Sequence, residues 1–322
     1  MSKYLVTGGA GFIGANFLLN VVENHKDDQF VCVDKLTYAA NLSNLDPIMN
    51  EPNFKFVKGD ICDVFKMYRL FKKEKFDYVI NFAAETSVDK SFKLITPFFR
   101  TNVYGVKVLV RLSRRFKVKR FHQASTDEVY GSVNSITSDV SFWEDDTPAP
   151  SNPYAESKRR AEVFLLHYGR NHRKFDYTIS RSSNCYGRFQ YKDKLIPKTI
   201  DAIRRKQDIT VYGDGSNIRD WLSVDTNCEA IDFIVRHGEK NEIYNISEHN
   251  LYSNLEIVKT ICNKFNYPEE KIKFVKDRKR HDLKYSMKTV KLRKLGFATQ
   301  RDFAKEFDRF LEEEKNKKLP TE

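Results

Sequence analysis

The chain has 322 residues, 40% of them hydrophobic and 31% charged, which fits one large folded unit or two sharing a core and excludes disorder over most of the length. No apolar run approaches the roughly 20 residues that span a bilayer, and Tyr4-Leu5-Val6 is too short for a signal peptide, so a soluble cytoplasmic protein with no membrane partner is expected. The net charge of +12 admits nucleic acid or a polyanionic small ligand as partner, but the basic residues are dispersed and no nucleic-acid motif accompanies them, so a lysine-rich solvated surface is the reading adopted.

Along the chain, Lys3–Thr7 is a short apolar run, followed by glycines and a helical pattern over residues 12–22. Residues 30–33, 54–57, 78–82, 120–124 and 177–181 read as further strands. Helical stretches at 64–73, 96–116 and 153–171 separate the later ones. Such alternation predicts an α/β fold, a doubly wound, Rossmann-like parallel sheet with helices on both faces. After residue 185 the rhythm changes to short elements and loops rich in Gly, Asp and Asn, ending in a helix over 302–316. The expected division is a dinucleotide-binding part, 1–184, with residues of about 218–245 returning to it, and a smaller C-terminal α/β substrate-binding part, 185–322. The five cysteines are scattered, odd in number and without a Cys-x-x-Cys pair. They read as reduced thiols, and no metal site is expected.

Gly8, Gly11 and Gly14 follow the first strand and open the first helix. Without Cβ atoms there, a pyrophosphate can approach the backbone and meet the free N–H groups of the helix N-terminus. Asp34 ends the second strand, 20 residues after Gly14. A carboxylate at that place accepts hydrogen bonds from both ribose hydroxyls and repels a 2′-phosphate, which selects NAD over NADP. Lys35 beside it weakens that selection. Asp60-Ile61 after the third strand suits the adenine, although Asp60 also reads as a helix cap.

Tyr154 and Lys158 are four apart on one helix and share a face. The ammonium is expected to lower the phenol's pKa and make it a usable base, with Thr126 as its hydroxyl partner. Asp127 and Glu128 follow at the carboxyl end of a strand. A simple dehydrogenase or epimerase needs no acid there. A dehydratase does, because one group removes a carbon-bound proton and another protonates a leaving hydroxyl.

These residues resemble the nucleoside-diphosphate-glucose 4,6-dehydratases, of the extended short-chain dehydrogenase type. The carriers are residues 7–14, Asp34-Lys35-Leu36-Thr37-Tyr38, Ala83-Ala84-Glu85, 125–131, 154–158, Asn184, Lys194-Leu195-Ile196-Pro197, 212–221 and 277–282. The resemblance implies that Asp127 is the general acid and Glu128 the general base of water elimination. It implies cofactor contacts from Phe12, Ile13, Lys35, Leu36, Thr37, Asp60, Ile61, Ala83, Ala84, Thr101, Tyr154 and Lys158. It assigns the diphosphate to Asn184, Arg219, Asn254, Arg278 and His281, the base to Lys194, Leu195 and Pro197, and the sugar side to Glu85, Ser87 and Thr126. The expected product is a 4-keto-6-deoxy-glucose nucleotide, a precursor of deoxysugars such as rhamnose. A homodimer is expected through the helices at 96–116 and 153–171.

Ala40 and Arg280 stand where the family has glycine, Ser87 where it has His, Lys90 where it has Arg and Cys185 where it has Asn; Gly187-Arg188-Phe189 replaces Gly-Pro-Tyr. None touches the Thr-Asp-Glu or Tyr-Lys sets, so they leave open dTDP-glucose against UDP-glucose and not the reaction type. The rival readings are a sugar-nucleotide epimerase or decarboxylase on the same scaffold, and a non-catalytic NAD-sensing or nucleic-acid-binding protein.

Overall fold

The computed structural model describes residues 1–133, 135–277, 281–299 and 301–317. The strands are β1 (Lys3–Thr7), β2 (Gln29–Asp34), β3 (Phe54–Lys58), β4 (Tyr78–Asn81), β5 (Arg120–Thr126), β6 (Tyr177–Ser182), β7 (Asn184–Tyr186), β8 (Ile209–Tyr212), β9 (Ile218–Ser223), β10 (Glu242–Ile246), β11 (Leu251–Ser253) and β12 (Ile272–Val275). The α-helices are α1 (Phe12–Asn24), α2 (Val64–Glu74), α3 (Val88–Lys93), α4 (Thr96–Phe99), α5 (Val106–Arg115), α6 (Pro153–Asn171), α7 (Leu195–Arg204), α8 (Val224–His237), α9 (Asn254–Phe265), α10 (Val290–Leu295) and α11 (Phe303–Asn316).

Seven strands form one sheet in the order β10-β6-β5-β4-β1-β2-β3, every neighbouring pair parallel. Parallel strands covered on both faces need continuous apolar runs, and Leu5, Val6, Cys32 and Val33 are fully buried. On one face Phe17, Leu18 and Val21 of α1 pack with Ile231 and Ile234 of α8. On the other, Met67 and Phe71 of α2 meet Leu109 of α5 and Leu165 of α6. This is the doubly wound sheet that the alternation predicts. Its strand order reverses between β1 and β4, which opens a crevice at the carboxyl ends of the strands. The edge strand β10 was not legible as a strand: Glu-Ile-Tyr-Asn-Ile mixes polar and apolar residues without clean alternation. It pairs with β6, and α8 before it packs beside α1.

The later elements build a smaller layer. β9 lies between β7 and β11, and β8 pairs with β12. Ile196, Trp221, Ile257, Ile261, Phe307 and Leu311 form its core. The 302–316 expectation holds with Asp302 as cap: its side chain accepts from the Ala304 N–H at 3.0 Å, and α11 starts at Phe303.

The expected single helix over 96–116 is a run of three parts. Between α4 and α5 the segment Arg100–Gly105 forms a π-helical turn, of the kind found at functional sites. The wider turn holds Asn102 inward, where Nδ2 donates to the Glu85 carbonyl at 3.0 Å and to Ser157 Oγ at 2.8 Å. Its Oδ1 accepts from the Glu85 N–H at 2.8 Å. Gly105 closes the turn against Ile61, where a Cβ would lie 2.5 Å from Cδ1.

Candidate active site

The crevice floor is the β1–α1 turn. Gly8 has φ +72, and a Cβ on it would lie 2.5 Å from the Ala83 nitrogen; one on Gly14 would lie 2.3 Å from the Gly8 carbonyl oxygen. These two glycines are demanded by the turn itself. At Gly11 a Cβ would meet only the Gly8 oxygen, at 3.3 Å, so this glycine leaves space above the backbone. Gly11 caps α1 without a side chain, and the first turn holds no acidic residue. The helix N–H groups are thus free for an anion. A dinucleotide pyrophosphate fits this cradle.

Asp34 ends β2 nearly buried. Its Oδ2 accepts from the Ala10 N–H at 3.0 Å and its Oδ1 from the Leu36 N–H at 2.7 Å. Burial pushes its carboxyl above the ordinary range against these bonds. Each carboxylate oxygen keeps a lone pair for a ribose hydroxyl. Lys35 does not compete for that role, because its Nζ pairs with Asp60 Oδ2 at 2.9 Å. Asp60 is not the helix cap: its Oδ1 accepts from Cys62 N–H at 2.9 Å, and Asp63 caps α2. Phe12, Ile13, Thr37, Ile61, Ala83, Ala84 and Thr101 line the same cleft. Leu36 does not line it. Its backbone is left-handed, φ +59, and its side chain packs into the core beneath α1.

The catalytic set closes the far end of this cleft. β5 ends at Thr126, and the chain turns tightly through Asp127–Tyr130, with Thr126 Oγ1 accepting from the Glu128 N–H at 3.3 Å. Thr126 also donates to Asp127 Oδ1 at 3.1 Å. Asp127 is 3% exposed, and its buried Oδ2 has no hydrogen-bond partner among the described residues. Burial, then the charge of Glu128, push its carboxyl well up, which favours its protonated form. Glu128 is raised less. Burial drives it up too, but Asn152 Nδ2 donates to its Oε2 at 2.9 Å, and Lys194 and Arg219 add positive potential. Two adjacent carboxyls are therefore pushed apart, one held as acid and one as base.

Tyr154 and Lys158 lie one turn apart at the start of α6 and are nearly buried. Lys158 is not among the leading influences on the phenol. Lys158 Nζ donates to the Ala124 carbonyl at 2.6 Å, and burial lowers its pKa to about 8. Burial and the neighbours Glu128 and Asp127 push the Tyr154 phenol up, and a hydrogen bond to Thr126 lowers it. Desolvation and the two acids set the direction of the shift.

Glu85, Asn184, Cys185 and Lys194 also line the cleft. Ser87, Leu195, Pro197, Arg219, Asn254 and His281 do not. Ser87 starts α3 and is buried. Leu195 packs on the C-terminal core, and Pro197 lies within α7. Arg219 donates to the Ile218 and Asp282 carbonyls at 2.7 and 2.9 Å and lies 4.5 Å over the Tyr285 ring. Nη1 and Nη2 meet these backbone oxygens, and the charge reaches both Asp127 and Glu128. The Asn254 N–H donates to the Asn217 carbonyl at 3.0 Å. His281 Nδ1 pairs with Asp277 Oδ1 at 2.6 Å. Arg278 lies outside the described residues.

Residues 5–309 match the model of the GDP-mannose 4,6 dehydratase family. The chain belongs to this dehydratase family. A low-salt glycan biosynthesis protein of Haloferax volcanii is 40% identical over 93% of this chain and 94% of its own length. The dTDP-D-glucose 4,6-dehydratase of Mus musculus is also 40% identical, over 92% of this chain and 83% of its own. The crystal structure of a dTDP-glucose 4,6-dehydratase from Streptomyces venezuelae with NAD bound superposes with a TM-score of 0.91 at 35% identity, covering 96% of both chains.

Two features of this dehydratase cleft were missed in the sequence. Asn152 caps α6 and holds Glu128; the Asn-Pro pair before Tyr154 signals the cap but not the second bond. Beside the cleft, Lys90 Nζ sits 3.2 Å over the Tyr38 ring, and Tyr38 meets the cleft-lining Tyr191 edge-on with ring centroids 5.4 Å apart. The three come from segments far apart in sequence, and no local pattern announces their meeting.

Proposed function

We propose that this chain converts dTDP-glucose into its 4-keto-6-deoxy derivative with NAD as resident cofactor. The observation that carries the reading is the unequal pair of acids at the end of β5, Asp127 buried with an Oδ2 that has no partner among the described residues and Glu128 held by the Asn152 amide. Gly8, Gly11 and Gly14 hold the pyrophosphate and Asp34 the ribose. Bound NAD supplies a cationic nicotinamide ring that accepts a hydride from C4 and returns it to C6. Tyr154 takes the 4-hydroxyl proton, assisted by the Thr126 hydroxyl and the Lys158 charge. The new ketone acidifies the C5 proton, which Glu128 removes. Asp127 protonates the 6-hydroxyl, and water leaves. Glu128 then returns a proton to C5. The relatives named as dTDP-glucose dehydratases support this substrate.

Glu85 and Ser87 are assigned to the sugar side, and Asn184, Arg219, Asn254, Arg278 and His281 to the diphosphate. Lys194, Leu195 and Pro197 are assigned to the base. Residues 1–184, with about 218–245, form the NAD-binding part and the remainder the sugar-nucleotide part. The free cysteines suit a reducing cytoplasm, and among the described residues no helix is long and apolar enough to cross a membrane.

The test is mass spectrometry of product made from dTDP-glucose, with UDP-glucose in parallel. The expected product is lighter by one water and, in heavy water, carries deuterium at C5. A product of unchanged mass overturns the dehydratase reading in favour of an epimerase. Faster turnover of UDP-glucose reassigns the nucleoside.

The occupant of the groove between the π turn and α6 is proposed to be a second copy of the chain. Tyr104 and Val163 are 45% and 49% exposed there, in a groove shared with Phe99, Val103 and Phe164. Exposed apolar side chains of the π turn and α6, in a groove that Lys107, Arg159, Arg160 and His167 also line, suit a self-complementary, two-fold packing. Light scattering at micromolar concentration should give twice the chain mass, and Tyr104→Glu with Val163→Glu should halve it. A monomeric wild type removes the proposal.

A further inference from the structure

We propose that Asn152 is a positioning residue for Glu128, tying the base to the first turn of the helix that carries Tyr154. The inference rests on the reading of Glu128 as the base. Asn152 is 6% exposed and has two jobs for its two amide ends. Oδ1 accepts from the Ala155 N–H at 2.9 Å and caps α6; Nδ2 donates to Glu128 Oε2 at 2.9 Å. Because the cap consumes the acceptor, the amide orientation is fixed and the NH2 end is the one turned to the carboxylate. Among the described residues this is the hydrogen bond that the Glu128 carboxylate accepts.

The residue is itself held in place. Ser151 before it donates to Asp282 Oδ2 at 2.6 Å, Pro153 after it opens the helix, and its own carbonyl accepts from the Glu156 N–H at 3.0 Å. Glu128 and Tyr154, 26 residues apart in sequence, therefore share one rigid mount. The other groups acting on Glu128 do so through charge: Lys194 and Arg219 favour its ionised form, and Asp282 opposes it. Asp127 and the phenols of Tyr154 and Tyr285 adjoin it electrostatically. Against burial, the neutral donor of Asn152 favours the carboxylate without adding a charge that would follow the base if it moved.

Two variants separate this role from capping. Ser and Asp both cap helices well, so Asn152→Ser and Asn152→Asp keep the helix start. Ser withdraws the amide donor. Asp withdraws it and sets a second carboxylate against Glu128. With NAD-loaded enzyme and dTDP-glucose, single-turnover elimination should fall about tenfold in Asn152→Ser, the scale of a hydrogen bond to a charged group. C4 oxidation, read as reduced-nicotinamide absorbance, should fall much less. The acid limb of the elimination rate should move up by about one pH unit in Asn152→Ser and further in Asn152→Asp. An acid limb unchanged in both variants overturns the proposal. So does a parallel loss of oxidation and elimination with a lowered Tm, which marks a structural cap only. Failure of the wild-type chain to release any dehydrated product instead overturns the function on which the proposal rests.

Discussion

Asp127→Asn combined with Glu128→Gln should oxidise dTDP-glucose at C4 and stop there. Oxidation needs Tyr154, Thr126, Lys158 and the cofactor, none of which is altered. Elimination needs a proton acceptor at C5 and a proton donor at the 6-hydroxyl, and the double variant has neither. Losing general acid and base catalysis costs about 10²- to 10⁴-fold for each group. The two losses need not multiply, because the groups act on one step. Rapid mixing with substrate should show bound reduced nicotinamide that persists, and quenched samples should hold the 4-keto sugar with its 6-hydroxyl intact. The pH profile of the wild type follows from the same pair. Elimination falls in acid as Glu128 takes up a proton, and falls in base as Asp127 loses its own. Both limbs lie above the ordinary carboxyl range, because both groups are raised. Undiminished release of the 6-deoxy product by the double variant would remove these acids from the reaction.

Tyr154→Phe should fail one step earlier. No reduced nicotinamide should form, and turnover should drop by about 10³-fold or more, since the 4-hydroxyl loses its proton acceptor. Folding should be almost untouched: Phe fills the same buried volume and gives up the phenol's hydrogen bond with Thr126. The upward push on the phenol sharpens the expectation. In the free cleft burial and two acids push the phenol up, and positive charge entering beside it would push it back down. Near-wild-type turnover by Tyr154→Phe would assign the proton to another group.

What the sequence made legible, and what it hid, divides by distance along the chain. Pro153–Asn171 was read to the residue, because Asn152-Pro153 marks the start by local chemistry. The glycine turn and Asp34 were legible for the same reason: each requirement is met within one strand-turn-helix unit. The π turn at Arg100–Gly105 was hidden, since it depends on Asn102 reaching Glu85 and Ser157. So was the direction of the Tyr154 shift, set first by burial and then by Glu128 and Asp127, 26 and 27 residues away in sequence. Arg219 was legible as a cation near the ligand but not as one engaged by the carbonyl of Asp282, 63 residues on. Spacing names the groups; contacts across the chain decide which of them are free.

The unpartnered Oδ2 of Asp127 bears on any attempt to harden this protein against heat. A carboxyl whose folded pKa lies above its usual value near 3.8 binds its proton more tightly folded than unfolded. Its stabilising contribution is complete below that value and is lost as pH climbs through the folded pKa. Above it, the buried acid weakens the fold. Asn cannot ionise, so Asp127→Asn should melt above the wild type at neutral and alkaline pH, with the gap closing in acid; melting curves across that range check this. A library screened for survival after heating would then enrich that substitution and return durable proteins that no longer turn over. Selection on this scaffold has to score product in every round, because a position that limits endurance is one that the chemistry uses.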